Sequence, residues 1–122
     1  MRHPLTLLII TLLLAACASP MPAPDAFLHA EQAIDAAVRA GAEEQSPVEL
    51  RFAREKLAEA RKGMEYKQYD KATVLIEQSE INSELAIEKS RTAITRARVA
   101  EATRENEILE EDFKATYGED AQ

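Results

Sequence analysis

The sequence predicts an all-α protein organised around one very long helix. Three observations carry this. Apolar residues recur every three or four positions from Phe27 onward, the spacing of a single helix face. No Gly or Pro lies between Met64 and Tyr117, so nothing interrupts a helix over that span. Three glycines and no tryptophan accompany abundant Ala, Glu, Arg and Lys, the composition of long helices. Two arrangements satisfy these observations. The favoured one is a long antiparallel helical hairpin with its first arm broken near residues 41–47; the alternative is a three-helix bundle with an overlong third helix.

Residues 1–16 read as an export signal. Arg2 and His3 give a short positive start, and the chain is then apolar from Leu5 to Ala16. That run is too short to span a bilayer, which takes about 20 apolar residues. It ends in Leu14-Ala15-Ala16-Cys17, which resembles the bacterial lipobox. The resemblance implies cleavage before Cys17, acylation of the Cys17 sulfur with chains such as palmitate, and attachment to a membrane. Several acyl chains hold a protein stably where one does not. Ala18 rather than Asp follows the cysteine, which by analogy with the sorting rule of enteric bacteria implies the periplasmic face of the outer membrane. Cys17 is the only cysteine, so no disulfide forms within the chain.

Removing residues 1–16 leaves about 106 residues, enough for one small domain. Losing Arg2 takes the formal net charge from −7 to −8, which makes nucleic acid an unsuitable partner. Acidity also gives no attraction to anionic lipid, so membrane affinity has to come from the anchor. Residues 17–25 form the lipid anchor and a tether. Pro20, Pro22 and Pro24 favour an extended backbone there, rising about 3 Å per residue.

Residues 26–115 form the helical domain. Its first helix is expected to start near Asp25 as a capping residue and to end at Gly41, with Phe27, Ala30, Ile34, Ala37 and Val38 along one stripe. Ser46-Pro47-Val48-Glu49 is a second start signal: a capping Ser, Pro at the first helical position, and Glu three residues after the cap. Leu50, Ala53, Leu57, Ala60 and Met64 then step by three and four. Gly63 and residues 65–68 mark a turn. The third helix is expected from Tyr69 or Asp70 for some 45 residues, on the order of 65–70 Å. Residues 116–122 are an acidic tail.

The third helix carries a seam of small residues: Ala72, Ser79, Ser83, Ala86, Ser90, Ala93, Ala97 and Ala100, with Ile76 among them. Small side chains let a partner helix approach closely, and a lone helix gains little from such a seam. Folding back about residues 67–68 sets Leu57 against Ser79, Leu50 against Ala86, Val38 against Ala97 and Phe27 against Ile108. The same register pairs Arg51 with Glu84, Arg61 with Glu77 and Glu44 with Arg91. The seam can alternatively bury itself between two chains, giving a homodimer.

No enzymatic chemistry is expected. His29 is the only histidine after the signal, and neither Glu31 nor Asp35 shares a ligand spacing with it. Glu77, Glu80, Glu84 and Glu88 form a solvated or salt-bridged stripe, and Glu110-Glu111-Asp112 an acidic helix end. Neither has a pocket to raise a carboxyl pKa for acid–base work. No catalytic residue, metal site or cofactor is expected. The one block suited to a partner is basic: Lys89, Arg91, Arg96 and Arg98. It either pairs with Glu43 and Glu44 inside the fold or contacts an acidic partner such as peptidoglycan.

The run Ser46-Pro47-Val48-Glu49-Leu50-Arg51-Phe52-Ala53-Arg54-Glu55-Lys56-Leu57-Ala58-Glu59-Ala60-Arg61, with Tyr69-Asp70-Lys71-Ala72 and Ile76-Glu77-Gln78-Ser79, resembles domain of unknown function 4398. The resemblance covers roughly residues 26–100. It implies a short helical protein of Gram-negative bacteria, often a lipoprotein. Some members are fused to peptidoglycan-binding domains; none follows in this chain, so that role is not carried over. Lys67-Gln68 replaces the Gly-Asp that usually precedes the turn tyrosine. The family lends no activity. The expectation is therefore an outer-membrane-anchored periplasmic lipoprotein, acting as a non-enzymatic helical scaffold or adaptor for envelope proteins. The alternative is a module that binds peptidoglycan or a small acidic ligand through the basic block.

Overall fold

The computed structural model describes residues 20–118. The signal, Cys17 and residues 119–122 of the acidic tail lie outside the described residues. Four helices make up the described chain: α1 (Ala26–Arg39), the single turn α2 (Ala42–Gln45), α3 (Pro47–Glu65) and α4 (Tyr69–Tyr117). The protein is all-α, and α4 alone runs 49 residues, about 74 Å.

The expected hairpin with a prolonged first arm is not what forms: the helices adopt the alternative, a three-helix bundle with an overlong third helix. α1 doubles back along α3 instead of prolonging it. The Arg61–Glu31 ion pair ties the end of α3 to the start of α1, and Arg54 reaches Glu43 at 3.2 Å nearer the link. α1 therefore runs alongside the first half of α4. Ala26 and His29 face Thr73 and Ile76 at one end, and a Cβ added at Gly41 would sit 3.6 Å from Ile94 Cδ1 at the other. The expected pairs Val38–Ala97 and Phe27–Ile108 do not form; Ala97 and Ile108 are exposed.

The core is the set of small and branched residues read from the periodicity. Ala30, Ile34 and Ala37 of α1 meet Leu50, Ala53, Leu57 and Ala60 of α3, and Leu75, Ile76 and Ala86 of α4. Close approach is visible at Gly63, where an added Cβ would sit 3.4 Å from Ala72 Cβ. Gly63 is thus a buried packing position within α3, not part of the turn expected there. The seam serines are buried and satisfied. Ser79 Oγ donates to the Ala53 carbonyl across the interface at 2.8 Å, while Ser83 and Ser90 donate to the carbonyls one turn back.

Two left-handed residues shape the connections. Gly41, with φ of 83°, ends α1 and turns the chain into α2. Lys67, with φ of 56°, ends α3. There Gln68 N donates to the Gly63 carbonyl at 2.8 Å and Lys67 N to the Met64 carbonyl at 3.0 Å, a Schellman closure that normally places Gly where Lys67 stands.

The start signals act differently from expectation. Asp25 makes no side-chain cap; its carboxylate instead lies 3.3 Å from His29 Nε2. Ser46 and Glu49 meet, but Ser46 Oγ donates to Glu49 Oε2 at 2.7 Å rather than accepting from the backbone. Within the described part of the proline-containing segment, Pro22 is buried while Pro20, Met21, Ala23 and Pro24 are exposed, so the segment touches the bundle at Pro22.

Candidate functional site: the projecting end of the long helix

Packing along the seam ends abruptly. Ala72, Ser79, Ser83, Ala86 and Ser90 are buried, Ala93 and Ile94 are half-buried, and every residue from Thr95 to Gly118 is exposed. The bundle stops because α1 has run out. Its last turn and Gly41 reach only as far as Ile94. About 35 Å of α4 then projects alone. Local interactions support it there: Glu101 with Arg104 at 3.5 Å and Glu110 with Lys114 at 3.7 Å, each acid preceding its base. Such pairs stabilise a helix by about 0.2–0.5 kcal/mol each.

The four basic residues do not make one patch. Each residue advances about 100° around a helix, so Lys89 and Arg96 share one flank of α4 while Arg91 and Arg98 share the opposite flank. Their partners also differ from those expected. Lys89 pairs with Glu49 of α3, and Arg91 with Glu88 at 2.8 Å on its own helix. Neither reaches Glu43 or Glu44. Arg96 and Arg98 make no ion pair among the described residues and stand exposed at the root of the projection.

Among the described residues, Glu49 is the one carboxyl strongly perturbed. Hydrogen bonds from Lys89 first, then from Ser46 and its own backbone amide, hold its pKa at about 2. The sequence presents Glu49 as a helix-start residue. The long-range partner Lys89 carried no sequence signal, because any of several carboxylates satisfied the same charge pattern.

The other expected ion pairs are rearranged too. Arg51 pairs with Glu55 at 3.9 Å and lies over the Phe52 ring, rather than meeting Glu84. Arg61 reaches Glu31 rather than Glu77. Long side chains at an exposed surface take whichever acid the backbone brings near, and α1 brings acids that the hairpin reading had placed elsewhere.

The described surface also carries open hollows. A hollow of about 410 Å³ lies between Pro22, Ala26 and His29 on one side and Ile76 and Glu80 on the other. Among the described residues no group of three or more His, Cys, Asp or Glu side chains is placed to hold a metal ion. No helix among them is long and apolar enough to cross a membrane.

No curated protein and no solved structure matches the chain. A family model does, over residues 25–102, more than half of the sequence. The match begins at the foot of α1 and ends within the projection, short of Leu109, Phe113 and Tyr117. The bundle and the root of the projecting helix are thus the family's common part, and the chain belongs to the family described as Domain of unknown function (DUF4398).

Proposed function

We propose that this chain is a periplasmic lipoprotein held to the outer membrane through Cys17, and that it works as a non-enzymatic helical adaptor for other envelope proteins. The observation that carries the reading is the projecting segment of α4. A helix that leaves its own bundle and stays exposed for about 35 Å gains little by itself, and helical stability in proteins comes mostly from packing. Its value lies in contact. The seam face makes the point, because Ala97, Ala100 and Ile108 continue the line of residues that α1 and α3 cover lower down.

The Leu14-Ala15-Ala16-Cys17 tetrapeptide supports the anchor and, with Ala18, the choice of membrane. Peptidoglycan or a small acidic ligand is a weaker candidate partner, since Lys89 and Arg91 already have carboxylate partners and only Arg96 and Arg98 remain open.

Cys17→Ser tests the anchor. The variant is expected to leave the membrane fraction with its circular dichroism unchanged; retention on the membrane refutes the lipoprotein reading. A photo-crosslinking residue at Ala100 tests the adaptor role in intact cells. Discrete adducts with an envelope protein are expected, and adducts with glycan strands alone would transfer the assignment to cell-wall binding.

A further inference from the structure

We infer that the projecting half of α4 pairs antiparallel with the same segment of a second copy of this chain, through the face turned away from the bundle. Thr95, Val99, Ala102, Asn106, Leu109 and Phe113 step by four and three along that face, the spacing of a coiled-coil seam. All six are exposed; Val99 is 60 % accessible, and Leu109 and Phe113 are each 65 %. This face lies about 160° around the helix from the Ala97–Ala100 line, so neither the bundle nor a partner on the seam covers it.

Charge selects both the occupant and its direction. Bases sit at one end of the stripe, Arg96 on one flank and Arg98 on the other. Acids sit at the far end, Glu110 and Asp112 on the corresponding flanks. A reversed copy with Val99 opposite Leu109 places Thr95 opposite Phe113 and Ala102 opposite Asn106. It also places Arg96 beside Glu110 and Arg98 beside Asp112 of the second copy, and two-fold symmetry makes each contact twice. The one like-charge contact is Glu105 against Glu105. A parallel copy would instead stack bases on bases and Glu105 beside Glu110, which disfavours that orientation. The segment thus carries its own complement, and Arg96 and Arg98, which make no ion pair among the described residues, find partners between chains.

The test uses the full chain in cells, with photo-reactive benzoylphenylalanine in place of Phe113. Residues 95 and 113 of one helix are about 27 Å apart, so a link between residue 113 and the 92–99 segment joins two chains. The expected product is a two-chain adduct with that linkage. Arg96→Glu with Arg98→Glu should lower its yield about tenfold, and adding Glu110→Arg with Asp112→Arg should restore it, since the swap re-creates complementarity. All four sites are exposed, so the variants keep the bundle. Linkage of residue 113 to residues 109–116, adducts only with other proteins, or no rescue by the double swap each overturns the proposal. None of these outcomes bears on the membrane anchor.

Discussion

The hydroxyl of Ser79 donates to the carbonyl of Ala53 at 2.8 Å, a buried polar link between α4 and α3 at a point where both helices present small residues. It fixes how closely the two axes approach. Ser79→Leu is expected to overpack this contact and to cost about 1–3 kcal/mol in chemical denaturation. Ser83→Ala provides the contrast. Its hydroxyl bonds only to the carbonyl one turn back, so its removal should cost less than about 1 kcal/mol.

Lys67 occupies a left-handed position that glycine adopts without a Cβ penalty. Lys67→Gly should therefore stabilise the protein by about 0.5–1 kcal/mol, read as a raised denaturation midpoint at unchanged m-value. A loss of stability would show that the Lys67 side chain contributes more than its backbone costs.

Glu49 links stability to acid. Its folded pKa, about 2, lies below the ordinary 4.5, so the unfolded chain binds the proton more readily. The contribution of Glu49 is full above about pH 4.5, and it is lost as pH falls toward 2. Lys89→Met removes the largest cause of the shift. The variant's stability should fall less steeply than the parent's between pH 4.5 and 2, measured by urea denaturation across that range.

Ending the chain after residue 103 should leave bundle stability unchanged within about 0.5 kcal/mol, because no residue beyond Ile94 is covered by the bundle. The same truncation removes Leu109 and Phe113 and should abolish self-association. Sedimentation of both forms over a range of concentrations separates the two effects.

The helices and their buried faces were legible in the sequence because burial imposes a period. Ala30, Ile34 and Ala37, Leu50 to Ala60, and Ala72 to Ser90 all lie where the spacing placed them. The register of α3 on α4 was legible for a related reason: small residues have to oppose larger ones, and Gly63 at Ala72 confirms the fold-back point. The direction of α1 was not. Gly41 permits a straight continuation or a reversal, and the choice depends on which arrangement covers Leu75 and Ile76 from a second side. The individual ion pairs followed that choice, so Arg61 and Arg51 were assigned acids they do not meet. Only part of the projection was legible. The seam pattern runs on through Ala97 and Ala100 with no mark of where the covering helix ends.

The last interhelical ties on α4 are Lys89 with Glu49 and the packing of Ile94 beneath Gly41. Everything beyond them behaves as a cantilever clamped at its root. Over a free length of about 35 Å, a bend of about 10° near Thr95 carries Tyr117 sideways by about 6 Å. Slight loosening of the clamp is therefore magnified at the tip, so Leu109, Phe113 and Tyr117 sweep a wide arc while the bundle stays still.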